Sequence, residues 1–469
     1  MLTRWGETLD KNNVLGEYPR PQMRRSSFIN LNGLWDYAFT AAGEKQPDKW
    51  YGKILVPFSP ESELSGVGRT LSPDEYLWYR RDWAKPDVGE GRVILHFGAV
   101  DQSCTVYING LRAYRHNGGY LPFEFDATGF LSKDVNELSL SVRDVSDTSY
   151  HSRGKQKLKR GGIWYTPQSG IWQTVWAECI PKDCVRSLHI TSDFDHACVN
   201  VRADVVGESK AYALFDGQQY PLPASIPVPG FEPWSPENPK LYDFSVICGA
   251  DRVESYFAMR KFSVEADENG VKRLFLNGKP YFHNGLLDQG YWSDGMYTAP
   301  SDEALIFDIQ TAKDMGFNML RKHIKIEPMR WYYHCDRLGM LVWQDMINGG
   351  GTYNLLTISA PLITGIHHKD HDYKKFARTD AIARASYYTE LTELIAQLYS
   401  CPCICTWVLF NEGWGQFDAA AAAEYAHRLD PSRIIDHASG WHDQKVGKLQ
   451  SLHVYFRPYH FKKDRLRRA

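Results

Sequence analysis

The chain has 469 residues, 43% of them hydrophobic and 14% aromatic, and a formal charge of −2. That length implies several domains rather than one core. The near-neutral charge gives no general field for nucleic acid or an acidic membrane, and no run of about 18 apolar residues is present to span a bilayer. Neither nucleic acid nor a membrane is therefore expected as a partner.

The opening "MLTRWGETLDKNN" lacks the apolar core of a secretory signal. Nine cysteines, odd in number and irregularly spaced, are read as reduced thiols of a cytoplasmic protein. Cys401, Cys403 and Cys405 alternate in "CPCIC", which predicts small core residues on one face of a strand rather than zinc ligands.

From Asn30 to about Pro181 short alternating segments such as "RVILHFGAV", "CTVYING" and "NELSLSVRD" are separated by turns, which predicts a β-sandwich. The basic run "HSRGKQKLKRGG", His151 to Gly162, is read as a solvated loop. A second β-region, Cys184 to Val264, has the length of a small immunoglobulin-like sandwich, and its proline-rich stretch suits edge crossings.

After Glu265 strands alternate with helices. "YFHNGLLDQ" precedes the helical "SDEALIFDIQTAKDMG", with Ser301 and Glu303 at its cap. "NMLRKHI" precedes "PMRWYYHCDRLG", and "MLVWQDM" precedes a longer insertion and the helical "YYTELTELIAQLY". "CICTWVLF" precedes "DAAAAAEYAHRLD", then come "RIIDHASG" and "LHVYF". Six successive units predict a parallel sheet rolled as a (β/α) barrel. A doubly wound open sheet is the alternative, though no glycine-rich phosphate loop follows any strand.

Barrel active sites lie at the C-terminal strand ends. Those positions hold Asp288, Arg321 with His323, Asp345, Asn411 with Glu412, Asp436, and His453 with Tyr455. Each has an ordinary structural explanation, such as a salt bridge, a cap or a core histidine; together on one edge they point to a site. Glu412, directly after an apolar strand, is the candidate general acid. Trp414 beside it is expected to lower the local polarity and raise its pKa. The alternative is that Asn411 and Glu412 cap the following helix. "HHKDHDYKK", His367 to Lys375, could hold a divalent metal, but loops of this composition are usually solvated. No G-x-S-x-G, H-E-x-x-H or P-loop pattern occurs, and the basic tail "KKDRLRR" is too short a run to indicate nucleic acid.

These segments resemble glycoside hydrolase family 2, the β-galactosidases and β-glucuronidases. "LNGLWDYAF", "ILVPFSPESELSG", "LWYRRDW" and "GGIWYTPQSGIWQTVWAE" are similar to its jelly-roll sugar-binding domain. "FAMRKFSVE" resembles the exit of its immunoglobulin-like domain, and "LFLNGKPYFHNG" the start of its barrel. The resemblance implies residues 1–182 as jelly roll, 183–264 as immunoglobulin-like sandwich and 265–469 as part of a (β/α)8 TIM barrel. It makes Glu412 the acid/base of a retaining hydrolase. Asn411 becomes the contact to the sugar 2-hydroxyl, Arg321 the strand-two arginine and Tyr455 the strand-six tyrosine. Asp288, His323, Asp345, Trp414 and His453 complete the expected substrate-binding set, although His323 stands two residues beyond Arg321 where the family usually has its histidine three beyond.

The family nucleophile, a glutamate in a "SEFGG"-like motif on strand seven, has no counterpart in this sequence, and Glu265 to Ala469 is shorter than the roughly 250 residues of a typical barrel. A fragment of a longer hydrolase is the first expectation. A short form that oligomerises, or that uses Asp345 or Asp436, is the second, and a non-catalytic carbohydrate-binding chain the third. The expected substrate is a β-galactoside, with a β-glucuronide as the alternative. No cofactor is expected; some family members bind magnesium or sodium, whose ligands do not map onto this chain.

Overall fold

Alternating side chains build the first layer pair: in the strand Gly33–Ala41, Trp35 and Phe39 turn inward while Leu34 faces solvent. The computed structural model describes residues 1–41, 45–455 and 458. A six-stranded antiparallel sheet runs in the order Gly52–Val56, Gly33–Ala41, Glu75–Ala84, Val135–Arg143, Ser103–Ile108, Leu111–Asn117. A four-stranded sheet, Ile29–Asn30, Val175–Ile180, Arg92–Phe97, Phe123–Asp126, completes the sandwich. Trp35, Tyr79, Phe97 and Leu140 fill the space between them.

The second sandwich has a three-stranded sheet, Cys184–Asp193, Cys198–Val206 and Ala224–Pro227. It packs on a four-stranded one, Gln218–Pro221, Ala211–Phe215, Tyr242–Cys248 and Asp251–Phe257, through Val199, Phe244 and Phe257. A small antiparallel sheet, Phe262–Ala266, Lys272–Leu276 and Lys279–Pro280, leads into the parallel sheet.

That sheet has five strands in sequence order: β1 (Gly285–Asp288), β2 (Met319–Lys322), β3 (Leu341–Asp345), β4 (Ile404–Val408) and β5 (Ile434–Asp436). Between them lie α1 (Asp302–Asp314), α2 (Met329–Leu338), α3 (Leu355–Ile363), α4 (Ala381–Leu398) and α5 (Ala419–Leu429). Ser301 caps α1 by accepting from Ala304 N at 3.2 Å, and Asp380 caps α4 by accepting from Ala383 N at 2.9 Å. On α5, Ala419, Ala422 and Ala426 form a small-residue face against the sheet.

Several expectations change. The sequence predicts six parallel strands, but Ser451–Tyr455 is not a strand; its polar groups turn to the barrel mouth instead of a ladder. The insertion after β3 contains α3, capped by Asn354 and carrying Pro361, which apolar periodicity alone had not revealed. Among the described residues β1 is an edge strand, on which Leu286 and Leu287 are exposed. All nine cysteines are unpaired, and Cys401 and Cys403 lie just ahead of β4 rather than within it. Among the described residues no helix is long and apolar enough to cross a membrane. The basic tail "KKDRLRR" lies outside the described residues.

The start of β4 is held by Arg433, whose side chain is fully buried. It donates to Asp430 Oδ2 at 2.6 Å and to the carbonyls of Ile404, Tyr399 and Cys401 at 2.8, 2.6 and 2.7 Å. Arg433→Ala would strand a buried carboxylate and three carbonyls, so urea unfolding should show a loss of about 3–5 kcal/mol. Trp407, whose indole donates to the same Asp430, is a fluorescence reporter for that transition. A change below about 1 kcal/mol would contradict this account.

Candidate active site

Period-two alternation decides which strand-end residues meet. Arg321 and His323 leave one face of β2, while Lys322 between them leaves the other. In the β1–β2 register Asp288 lies beside Lys322, and its carboxylate pairs with that ammonium at 2.9 Å. Lys322 and Lys325 share Glu327, each at 2.8 Å. Asp288 thus belongs to a buried ion network on the Lys322 face and does not join Arg321, contrary to the substrate-contact role expected of it.

Arg321 is the centre of the other face. Its Nε and Nη2 donate to Asp345 Oδ1 and Oδ2 at 2.8 and 3.0 Å, a bidentate pair. Nη2 also donates to Asn411 Oδ1 at 3.0 Å, and Nη1 to Ser439 Oγ at 2.9 Å. His323 Nδ1 lies 2.9 Å from Asp345 Oδ2. Burial pushes the Asp345 carboxyl up, but the Arg321 and His323 interactions outweigh it and hold it below the usual range. Burial dominates for His323 and lowers its pKa, which favours the neutral ring.

The segment "FNEGWGQF" continues β4 into a tight turn. Ser439 N donates to Phe410 O and Glu412 N to Ser439 O, which extends the β4–β5 pairing past the strand ends. Glu412 itself has φ +51°, a left-handed conformation that costs a residue with a Cβ about 1 kcal/mol or more. Gly413 and Gly415 follow with φ +77° and +69°; a Cβ on Gly415 would lie 2.0 Å from Gly349 O. The helix-capping alternative fails, since α5 begins only at Ala419 after Asp418.

The carboxylate of Glu412 accepts from the Tyr455 hydroxyl and stands 2.7 Å from His453 Nδ1. A guanidinium has donors only, so the 3.3 Å contact from Arg321 Nη1 to His453 Nε2 leaves Nδ1–H as the donor to Glu412. Burial pushes Glu412 up, but the His453 and Tyr455 hydrogen bonds outweigh it and bring the carboxyl net below its ordinary value. The expectation that Trp414 raises this pKa is therefore reversed. Resting Glu412 is ionised near neutral pH.

Trp414 forms one wall with Trp164 and Tyr353, ring centroids 5.4 and 5.2 Å away, and Trp441 lies 6.0 Å from Tyr455. Trp164 comes from the first sandwich. So does Lys155, within electrostatic reach of Glu412, Asp345 and Arg321. The His151–Gly162 run is thus not simply a solvated loop: Ser152, Arg153, Gly154 and Gln156 are buried. Sequence reading missed Lys155, Trp164 and Ser439. The signals available were a glycine beside Arg153 and the glycine run at 349–351 against which that loop docks.

Asp436 ends β5 in register with Val408 and Asp345, accepts from Ser451 and keeps one buried oxygen without a partner among the described residues. In the His367–Lys375 cluster, Asp370 accepts from Gln416 Nε2 and Ala419 N at 3.0 and 2.9 Å, so it supports the "FNEGWGQF" turn. Among the described residues no three His, Cys, Asp or Glu side chains converge as metal ligands.

Residues 69–176 match the family model "Glycosyl hydrolases family 2, sugar binding domain", and residues 269–466 match "Glycosyl hydrolases family 2, TIM barrel domain". A putative beta-glucuronidase of Formosa agariphila is 26% identical over 428 residues, 82% of this chain and 46% of that protein. A beta-galactosidase of Photobacterium profundum is 25% identical over 425 residues, 84% of this chain and 37% of its own length. The chain thus spans less than half the length of these curated relatives. In fold, it matches the beta-D-glucuronidase of Dictyoglomus thermophilum with a TM-score of 0.72 at 18% identity, over 92% of this chain and 76% of that one. A Ruminococcus gnavus beta-glucuronidase gives 0.73 at 17%, over 90% and 74%.

The resting charge of Glu412 is open to measurement. Its depressed folded pKa contributes stability above the unfolded carboxyl value, and that contribution is lost as pH falls through the folded pKa. Tyr455→Phe removes one donor to the carboxylate, so a carbon-13 NMR titration of Glu412 should show its pKa rise. An unchanged or lower value would refute the assignment of that bond.

Proposed function

Because the chain belongs to glycoside hydrolase family 2, we propose that it serves the hydrolysis of a terminal β-linked sugar of the galactose or glucuronate type, with retention, and with Glu412 as acid/base. The observation that carries this reading is the Asn411–Glu412 pair at the end of β4, its carboxylate held by His453 and Tyr455 beside the Arg321 cluster.

In the first step Glu412 gives its proton to the leaving glycosidic oxygen; in the second it takes one from water. Asn411 meets the hydroxyl next to the reacting carbon. Arg321 and Asp345 fix Asn411, His323 lines the same floor, and Trp414 covers an apolar sugar face. Since Glu412 rests ionised, the leaving oxygen must meet the protonated minority, and kcat/KM should fall as pH rises above the Glu412 pKa. Retention also needs a carboxyl about 5–5.5 Å from the acid/base. Asp345 is unsuited, because Arg321 and His323 engage both its oxygens. A second reading is carbohydrate binding without turnover. Nine unpaired cysteines suit a reducing compartment, in keeping with a cytoplasmic location.

Hydrolysis of 4-nitrophenyl β-D-galactoside and β-D-glucuronide tests the proposal. Glu412→Gln should lower kcat/KM by about 10²–10⁴-fold; turnover that survives the change overturns the role of Glu412. Sugar binding by calorimetry without turnover in the unaltered chain supports the second reading. In an active enzyme, Tyr455→Phe should move the alkaline limb of the kcat/KM profile to higher pH, because fewer donors stabilise the carboxylate.

A further inference from the structure

The loop around residue 154 crosses from the first sandwich to the barrel mouth and is fastened there by backbone contacts. Arg153 N and Gly154 N both donate to Asn348 O, at 2.8 and 3.1 Å, and Ser152 pairs with Gly349 in a β-bridge. The Arg153 guanidinium donates to the carbonyls of Gly350 and Gly351. Gly154 has φ +61°, and a Cβ there would lie 3.1 Å from Ile324 O, one residue beyond His323. Lys155 therefore leaves the backbone at the end of β2, with its own carbonyl tied to Tyr165 N at 2.9 Å.

The groups it faces already have partners. Both oxygens of Asp345 are engaged by Arg321 and His323, and Glu412 accepts from His453 and Tyr455. Among the described residues Lys155 Nζ donates no hydrogen bond, although its side chain is half-buried. Burial lowers its pKa against the pull of Glu412 and Asp345, as expected for an ammonium that has lost water without gaining a direct anionic partner. An anion brought by the ligand would complete it, adding the attraction of a full opposite charge where a hydroxyl offers the ammonium only a dipole.

We propose that Lys155 recognises an anionic substituent on the sugar, a uronate carboxylate or a sulfate ester, and makes this site selective for charged over neutral β-glycosides. The inference rests on the carbohydrate reading of the same site. It gives a residue of the first sandwich, rather than one of the barrel, the discrimination between the galactoside and glucuronide alternatives.

Calorimetric binding of D-glucuronate, D-galacturonate, galactose 6-sulfate, galactose and glucose to the full chain tests it without requiring turnover. At least one anionic sugar should bind about 10-fold or more tightly than its neutral counterpart. Lys155→Met should remove that preference while leaving the neutral sugars within about two-fold, and Lys155→Arg should keep part of it. Preference for the uronates alone, or for the sulfate alone, identifies the source of the charge. Lys159→Met, an exposed position on the same loop, controls for general charge loss and should leave the preference intact. Equal binding of charged and neutral sugars by the unaltered chain overturns the inference and leaves the carbohydrate site standing. An equal loss for both classes in Lys155→Met also overturns it, since Lys155 would then support Glu412 or the loop. Failure of every sugar to bind overturns the carbohydrate reading as well. Matching thermal unfolding of the variants separates these outcomes from misfolding.

Discussion

The bidentate pair of Arg321 and Asp345 is the contact around which the site is organised. A guanidinium has donors only, and those of Arg321 reach Asp345 at the end of β3, Asn411 beyond β4, Ser439 beyond β5 and His453 on the segment crossing the mouth. One side chain therefore sets the relative position of four backbone segments that no single ladder connects. Without it, Asp345 would be a buried carboxylate beside a histidine that burial keeps neutral, an arrangement that costs several kcal/mol. Much the same contact orients Asn411 and His453. Asn411 is turned by its bond to Arg321, and His453 Nε2 is occupied from that side, which leaves Nδ1–H for Glu412.

The first sandwich completes this arrangement from outside the barrel. Its loop brings Trp164 and Lys155 to the mouth, and beneath it lie carboxyls that burial holds protonated toward neutrality: Glu61 is pushed up to about 8, and Asp144 and Glu390 to about 7. Glu390 on α4 accepts from Ser152, so that carboxyl bonds the loop directly to a barrel helix. The glycines at 349–351 are needed because the two backbones approach closely; a Cβ on Gly349 would sit 2.6 Å from His151 O. The site is thus made by two domains, and neither alone contains both Glu412 and the whole aromatic wall.

How far the sequence reveals this depends on the range of the forces involved. Local periodicity located four of the five helices after Glu265 and all five strands, because burial patterns and a cap such as Ser301 act within a few residues. The Asn411–Glu412 pair was legible for the same reason, standing directly after an apolar strand. Asp288 was misassigned because strand-end position says nothing about face; the register with Lys322 decides that, and register is a tertiary property. "LHVYF" alternates as a strand does, yet its His453 and Tyr455 bond Glu412, and alternation cannot distinguish a ladder from a segment laid across a pocket. The Glu412 pKa was misjudged in sign because burial beside Trp414 was weighed without the His453 and Tyr455 donors, which lie far along the chain and reach the carboxylate only in the fold.

That reversal bears on how such a site would work. An acid/base that rests as a carboxylate is poised to activate water but must acquire a proton to release an aglycone. The donors that hold it ionised, Tyr455 and His453, lie on a segment that is attached through Ser451 to Asp436 and through His453 to Ser439. A sugar entering between Trp414 and the Arg321 floor would compete with those donors for the Glu412 oxygen. Each bond it displaces raises the carboxyl pKa, and so does each water it expels. Substrate binding would then produce the protonated acid that the first chemical step needs. The left-handed backbone at Glu412 fits this arrangement, because it keeps the carboxylate fixed by the turn itself while its hydrogen-bond partners change.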